Sequence, residues 1–329
     1  MPILPESDYR PGFLLWNGHV QTVYPILLRP DPPVSPRRER IATPDGDFLD
    51  LDWHAAAPGT APKGNPRLAV IGHGLEGHSR RKYIAGMARA LTRRGWDAVA
   101  WNLRGCSGEP NAKLSFYHSG FTEDLDTVVR HAIACRPQAE IALIGFSIGG
   151  NMVLKYLGED PERVPAVVRH GVALSVPCDL AGASRVLERP CNRLYEVYFL
   201  RSLKAKLRAK RARVGPAALD VTGLDSVQTL FEFDERYTAP MFRFAGAAEY
   251  YRKASCLPHL PAIRVPSLVL NAADDPFFSQ TCFPRRAAEV NDSLALEIPR
   301  TGGHVGFVVR NTDNEYWSES RVAAFLGRS

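Results

Sequence analysis

The chain has 329 residues, of which 45% are hydrophobic and 23% are charged. This is ordinary globular usage with enough apolar material for a large core. No stretch approaches the roughly 20 apolar residues of a membrane span. The start, MPILPESDYRPGF, lacks a basic region and an apolar signal core, so we expect no secretory targeting. The six cysteines are scattered without a CxxC pair, which indicates reduced thiols, no metal site and a cytoplasmic location.

The net charge of +6 is concentrated in one segment of the chain. Residues 185–213 carry ten Lys/Arg against two Glu, a local charge of +8, so the remainder sums to −2. The basic character is therefore local. This run has no recognisable nucleic-acid-binding fold around it, so we expect no nucleic-acid partner.

The first half of the chain alternates predicted strands and helices. Residues 1–40 form a proline-rich extension, whose apolar part, 14–28, is expected to pack on the body. The elements that follow are a hairpin over 38–54 around Asp45-Gly46, a strand at 67–74, a helix at 82–95 stopped by Gly95, a strand at 96–105, a helix at 123–136 capped by Thr122, a strand–turn–helix unit at 139–159 and a strand at 166–177.

This alternation breaks over 178–261, which looks helical and irregular, and then resumes. The later elements are a strand at 266–272, a helix at 279–290, a strand at 293–299 and a helix near 313–327. The pattern predicts an α/β protein with a mostly parallel central sheet and helices on both faces. We expect a core of 41–177 and 262–329, with 178–261 inserted as a helical lid at the carboxyl side of the strands.

A serine stands where a predicted buried strand meets a helix. Gly145-Phe-Ser147-Ile-Gly149 matches G-x-S-x-G in the required strand–turn–helix context. Such a turn presents the hydroxyl above the sheet, and the glycines allow strand and helix to approach closely. The alternatives are a serine N-cap in a glycine-rich turn, or a phosphate cradle, although no G-x-x-x-x-G-K-[ST] is present.

A serine hydroxyl needs a base and an orienting carboxylate to act as a nucleophile. His304 lies in the glycine-rich loop PRTGGHVGF after the last predicted strand, whereas His259 falls within the insertion. Asp274 and Asp275 follow the strand at 266–272, and the Asp-Pro-Phe-Phe pattern favours Asp275. The alternative is that both aspartates only shape the turn before the proline.

Two backbone N–H groups are needed to stabilise an oxyanion. Ile148 follows the serine, and Leu75 lies in the loop GHGLEGHS after an earlier strand. We interpret His73 of that loop as a packing residue that fixes the turn. Glu76 and His78 stay ambiguous, and a metal site formed with His73 is a weaker interpretation because no second cluster completes it.

Taken together, seven motifs resemble the α/β-hydrolases, and among them the bacterial YheT-like hydrolases, relatives of abhydrolase-domain lipases and yeast medium-chain ethyl-ester synthases/esterases. The motifs are NGHVQT (17–22), HGLEG (73–77), NLRGCSGEPN (102–111), YHSGFTEDL (117–125), GFSIGGN (145–151), NAADDPF (271–277) and GGHVGF (302–307). The resemblance implies an α/β-hydrolase fold without cofactor or metal, and ester hydrolysis by Ser147, Asp275 and His304. Acyl transfer in related enzymes is associated with H-x-x-x-x-D. The nearest match, His118 to Glu123, ends in Glu, so that activity is not carried over.

We therefore expect a serine esterase that acts on short- to medium-chain acyl esters. A thioesterase, an amidase or a non-catalytic ligand-binding protein on the same fold is the alternative. NGHVQT has no chemical explanation at this level and is interpreted as structural. Within the lid, the basic amphipathic segment 194–213 is either a helix with a solvated polar face or a transient contact with anionic membranes or anionic acyl substrates. The aromatic stretch 229–244 either lines an acyl pocket or packs the lid.

Overall fold

An eight-stranded sheet forms the centre of the computed structural model, which describes residues 3–4, 7–60 and 64–327. Residues 1–2, 5–6, 61–63 and 328–329, parts of the predicted extension and core, lie outside the described residues. The strands are β1 (Arg37–Ala42), β2 (Phe48–His54), β3 (Arg67–Gly72), β4 (Asp97–Trp101), β5 (Glu140–Phe146), β6 (Val168–Leu174), β7 (Ser267–Leu270) and β8 (Leu294–Glu297). Their order across the sheet is β1-β2-β4-β3-β5-β6-β7-β8. The pairs β1–β2 and β2–β4 are antiparallel and all the others are parallel, which confirms the predicted mostly parallel sheet.

Helices cover both faces of this sheet. They are α1 (Gly18–Leu28), α2 (Lys82–Thr92), α3 (Thr122–Cys135), α4 (Ile148–Glu159), α5 (Leu180–Leu187), α6 (Arg193–Val214), α7 (Leu230–Phe233), α8 (Ala239–Met241), α9 (Ala247–Ala254), α10 (Arg285–Val290) and α11 (Trp317–Leu326). Strand β3 shows the consequence, since Leu68 and Val70 pack into one hydrophobic cluster while Ala69 and Ile71 pack into another. Burial on both faces explains why this strand is apolar at every interior position.

Local sequence signals predict most element ends, with two errors. The predicted helix at 279–290 is a 3₁₀ turn at Gln280–Cys282 followed by α10 from Arg285, because Pro284 has no N–H to continue a helix. The hairpin turns at Gly46, whose φ of 78° suits glycine. Helix α3, however, begins at Thr122 with Phe121 in the N-cap position, so the predicted Thr122 cap is wrong. The Thr122 hydroxyl instead donates a hydrogen bond to Glu159 on α4. A tertiary partner has therefore replaced the local cap.

Every regular element between β6 and β7 is helical. The longest is α6, with 22 residues, and residues Asp234–Thr238 form one turn of π-helix, a geometry often found at functional sites. The division of the chain into extension, core and lid stays a prediction. No helix among the described residues is long and apolar enough to cross a membrane.

Helix α1 packs on the body along one face only. Gly18, Gln21, Thr22 and Pro25 are buried, whereas the opposite face of the helix is exposed and apolar. The buried face supports the expectation that the apolar segment 14–28 packs on the body, which stays a prediction.

Candidate active site

Ser147 lies on a sharp turn between β5 and α4. Its backbone has φ 53° and ψ −123°, a conformation that is strained for a residue with a side chain. A Cβ added at Gly145 or Gly149 would fall under 3.0 Å from backbone atoms, so both positions require glycine. The Ser147 side chain makes no capping hydrogen bond to α4, which contradicts the N-cap alternative.

A chain of hydrogen bonds joins Ser147 to His304 and Asp275. The Ser147 Oγ lies 3.0 Å from His304 Nε2, and His304 Nδ1 lies 2.8 Å from Asp275 Oδ2. Asp275 is buried, and its other oxygen accepts a hydrogen bond from the Phe277 N–H at 2.9 Å. We call this chain the Ser-His-Asp array. Its geometry allows the imidazole to accept the serine proton while the carboxylate holds Nδ1–H.

The two neighbouring aspartates make different contacts. Asp274 Oδ1 accepts a hydrogen bond from the Gly303 N–H at 2.9 Å and does not reach the imidazole. Its Oδ2 is buried without a hydrogen-bond partner among the described residues. Burial raises the pKa of Asp274, and the nearby Asp275 carboxylate adds to this effect. Asp274 therefore contacts the loop that carries His304, and Asp275 contacts the ring itself.

The loop that carries His304 is fixed by three side chains from separate parts of the chain. The Gly303 N–H bonds to Asp274, the His304 N–H to Thr22 Oγ1 at 2.9 Å, and the Val305 N–H to Ser175 Oγ at 2.9 Å. Gly303 and Val305 have positive φ values of 57° and 61°. Because this backbone is not extended or helical, side-chain acceptors replace the partners that regular structure would supply.

The NGHVQT motif, which sequence reasoning left without a chemical explanation, supports this loop. Thr22 donates to the Gly18 carbonyl at 2.7 Å and accepts from the His304 N–H. A Cβ at Gly18 would fall well under 3.0 Å from the Asp274 carbonyl oxygen, so glycine lets α1 lie against the Asp274 turn. The Gln21 amide reaches the Val308 N–H at 3.2 Å. The polar residues of NGHVQT were the signal available in the sequence. Nothing in their local pattern indicates that they contact a loop nearly 300 positions away.

The two predicted oxyanion donors belong to the start of α4 and to the loop after β3. Ile148 is the first residue of α4, where the helix dipole favours negative charge. Leu75 lies in the loop after β3 and lines the same cavities as Ser147. A Cβ at Gly74 would sit 3.0 Å from the Ser147 Cβ, which shows how close this loop comes to the serine.

His73 fixes that loop through both ring nitrogens. Nε2 accepts a hydrogen bond from the Leu103 N–H at 3.1 Å, so the proton resides on Nδ1, which donates to the Gly74 carbonyl at 2.8 Å. Complete burial lowers the pKa of His73 to about 3. His73 is therefore a neutral packing histidine, as interpreted from the sequence.

Glu76 connects the same loop to the lid. Its carboxylate accepts hydrogen bonds from Tyr117 at 2.6 Å and Ser202 at 2.7 Å, and pairs with Lys206 at 2.6 Å. Ser202 and Lys206 belong to α6, and we call these contacts the Glu76 clamp. With Glu76 engaged in this way and both His73 nitrogens bonded, neither residue has a position left for a metal. Among the described residues, the group whose spacing could hold a metal ion is Glu39, His131 and Cys135. None of these residues belongs to the Ser-His-Asp array.

Two cavities meet at Ser147 and His304. The first, about 100 Å³, is mostly apolar and is lined in part by the segment 178–261, the predicted lid. Its lid residues include Leu180, Leu187 and Leu230, and its floor includes Phe277 and Phe278. We call it the inner pocket. The aromatic stretch 229–244 contributes to it only in part, through Leu230, Asp234 and Thr238.

The second cavity, about 200 Å³, lies between α1 and α6. It is lined by Thr22, Pro25 and Ile26 on one side and by Tyr195, Tyr198 and Phe199 on the other. Arg81 and Lys82 also line it, and no carboxylate does among the described residues. We call it the outer pocket.

Much of the basic half of α6 is engaged within the chain. Lys206 pairs with Glu76, and the Lys210 ammonium donates to the Asn111 and Lys113 carbonyls at 2.7 Å. Lys204 donates to the Val227 carbonyl at 2.7 Å, and Arg208 pairs with Asp225. Lys206 and Lys210 therefore join α6 to residues outside the segment 178–261, whereas Lys204 and Arg208 contact residues within that segment.

Comparison with known proteins agrees with this architecture. A family model described as serine aminopeptidase, S33 matches residues 64–294. The chain is 36% identical to the candidate esterase YheT of Escherichia coli (strain K12) over 94% of this chain and 90% of that protein. It is 31% identical to human Phospholipase ABHD3 over 93% of this chain and 75% of that protein. Among solved structures, the Pyrococcus furiosus esterase PF2001 covers 91% of this chain and 92% of its own, with a TM-score of 0.59 and 18% identity, which supports the fold.

The matched family model spans more than half of the chain, and the similarity to YheT extends over nearly all of it. The chain therefore belongs to the serine aminopeptidase S33 family of the α/β-hydrolases, and within that superfamily it is YheT-like.

Proposed function

We propose that this protein is a serine hydrolase that cleaves short- to medium-chain carboxylic esters through an acyl-enzyme on Ser147. The observation that carries the proposal is the Ser-His-Asp array, which opens into two cavities beside a strained turn. At the coarser level the chain is an α/β-hydrolase of the esterase and lipase type. Its relatives bear the names candidate esterase, phospholipase and monoacylglycerol lipase.

In the proposed acylation step, His304 Nε2 accepts the Ser147 proton as Oγ attacks the ester carbonyl carbon. Asp275 holds Nδ1–H and stabilises the imidazolium that forms. The N–H groups of Leu75 and Ile148 bind the oxyanion, a type of interaction that contributes about 3–4 kcal/mol per donor in other hydrolases. The imidazolium then gives its proton to the leaving alcohol. In the second step, a water activated by His304 releases the carboxylic acid and restores Ser147.

The two cavities suggest how an ester would lie. The inner pocket is apolar and closed over by lid residues, so it suits the acyl chain, and its volume of about 100 Å³ favours a short chain. The outer pocket is wider and bears two cations, so it suits the alcohol portion. Both cavities include Ser147 and His304, which supports a binding mode with the scissile bond where they meet.

Location and partners remain at the level of proposals. The six cysteines are unpaired, in keeping with the reducing cytoplasm proposed from the sequence. A small-molecule ester is the proposed substrate. The transient contact with anionic membranes predicted through 194–213 is also a proposal.

A fluorophosphonate probe and an ester panel test the function together. The probe should label Ser147 in the folded wild type and not in Ser147→Ala. p-Nitrophenyl esters of increasing acyl length should show turnover that peaks at short to medium chains and disappears in the same variant. Parallel panels of acyl-CoA and anilide substrates separate thioesterase and amidase activity. Labelling without ester turnover would contradict the esterase, and no labelling would favour a binding protein.

A further inference from the structure

Helix α1 exposes an apolar face to solvent. Val20 and Leu27 are exposed and share one side of it by their spacing of seven residues. Trp16, which directly precedes the N-cap residue Asn17, is 70% exposed. No residue of α1 carries an Asp, Glu, Lys or Arg side chain. Solvated helices normally place polar residues on this side, so the face lacks the composition of an ordinary surface.

Helix α6 exposes a second apolar face at its N-terminal end. Leu194, Val197 and Tyr198 lie on one side of the helix, and Leu194 is 84% exposed. This part of α6 lies before most of the lysines and arginines that hold the helix to the core. The apolar surface of α6 is thus separate from its basic half.

The two faces flank the mouth of the outer pocket. The His19 ring of α1 stacks on the Tyr195 ring of α6 with centroids 5.8 Å apart, so the helices are neighbours there. Ile26 and Tyr198 are both exposed and both line the pocket, so they form its rim. The combined apolar surface therefore surrounds the opening that leads to Ser147.

Positive charges surround this surface. Arg81 and Lys82 line the pocket, Arg80 is exposed beside them, and Arg201 lies on the same side of α6 as Leu194 and Tyr198. Arg81 donates to the Tyr198 hydroxyl at 3.1 Å and Lys82 to the Ile26 carbonyl at 3.2 Å, both uncharged partners. Two of these cations also pair with carboxylates, Lys82 with Asp31 at 4.0 Å and Arg80 with Asp52 at 3.5 Å.

From these observations we infer that the exposed apolar faces of α1 and the N-terminal half of α6 dock onto a phospholipid bilayer containing anionic lipid. Apolar side chains ringed by cations match the acyl and headgroup regions of such a surface. A second copy of the chain fits less well, because a two-fold interface would bring the same cations together. An ester in the bilayer would reach Ser147 through the outer pocket without crossing water.

Trp16 reports on docking directly. Of the five tryptophans, Trp53, Trp96 and Trp101 are buried and Trp317 packs against Tyr9. The Ser147→Ala protein is mixed with vesicles of equal parts phosphatidylcholine and phosphatidylglycerol, which keeps the lipid intact and makes the assay independent of esterase activity. We expect a blue-shifted emission, quenched by brominated acyl chains, that is lost in Trp16→Phe although the protein still sediments with the vesicles.

Substitutions locate the surface. Trp16→Ser and Leu194→Ser, which do not line either pocket, should each weaken sedimentation with these vesicles about tenfold. Val290→Ser, an equally exposed apolar position on α10, should leave it unchanged. High salt, or vesicles of phosphatidylcholine alone, should weaken binding of the wild type, since the cations lose their partners.

Three outcomes would overturn the inference. If the wild-type protein sediments with neither vesicle type, the protein has no membrane-docking surface. Unchanged binding in both serine variants would move the contact elsewhere. Self-association without lipid, seen by sedimentation velocity and abolished by the same substitutions, would assign the surface to a second copy of the chain.

Discussion

Replacing Thr22 with valine tests whether α1 positions the proposed catalytic histidine. Valine has nearly the shape of threonine, so packing is preserved while the hydroxyl is lost. That hydroxyl donates to the Gly18 carbonyl at 2.7 Å and accepts from the His304 N–H at 2.9 Å. In Thr22→Val the His304 N–H has no acceptor at this position.

The expected size of the effect follows from this lost hydrogen bond. A buried donor without a partner costs about 1–3 kcal/mol. The loop relieves that cost by moving toward water, which carries the imidazole away from Ser147. If the same free energy must be restored in the transition state, kcat falls about 5- to 150-fold. KM should change less, because Thr22 does not line the inner pocket and valine keeps its shape in the lining of the outer pocket.

Steady-state kinetics with p-nitrophenyl butyrate measure this, with Thr22→Ser as the matched control that retains a hydroxyl. Thermal unfolding of both variants separates a displaced loop from a destabilised fold. Turnover in Thr22→Val equal to that of Thr22→Ser would refute the positioning argument. A fall in both variants alike would also contradict it, because Thr22→Ser keeps the hydroxyl that accepts from the His304 N–H.

Three further changes test other contacts. Asp275→Asn should lower kcat about 10⁴-fold, as in other serine triads. Asp274→Asn should lower kcat less than about tenfold, because the amide oxygen still accepts a hydrogen bond from the loop. The reverse order of the two effects would exchange the roles of the two aspartates. Gly18→Ala should lower the free energy of unfolding by about 1–3 kcal/mol in urea titrations, and Gly64→Ala, which has open space, should not. Burial lowers the pKa of His118 to about 3 from 6.5, so the unfolded chain binds a proton that the folded chain excludes. The free energy of unfolding should therefore fall as the pH drops from 6.5 toward 3. Its slope against pH should be steeper in the wild type than in His118→Asn, by up to about 1.4 kcal/mol per pH unit, and equal slopes would contradict this.

Sequence patterns predicted the sheet and the contacts around Ser147 well, because these rest on local signals. An apolar run, a glycine-flanked serine and a helix specify a strand–turn–helix unit within a few residues. The position of Asp275 after β7 and of His304 after β8 follows equally from strand ends. Their catalytic roles remain proposals that the variants above would test.

Long-range partners could not be predicted. Thr122 is a residue type that often caps helices and it precedes a helical pattern, yet its hydroxyl donates to Glu159 on another helix. Thr22 and Gly18 meet residues near 274 and 304, and no periodicity encodes such a meeting. The pattern of cations in 194–213 is typical of a solvated helix face. In the structure, however, Lys206 pairs with Glu76 and Lys210 donates to backbone carbonyls.

The Glu76 clamp limits how a ligand travels to and from the serine. Lifting α6 would strand a nearly buried carboxylate, and separating such an ion pair costs about 3–5 kcal/mol. An equilibrium biased to that extent leaves below about 1% of molecules open at any moment. We therefore expect the ester to enter and the products to leave through the gap between α1 and α6, while α6 stays in place.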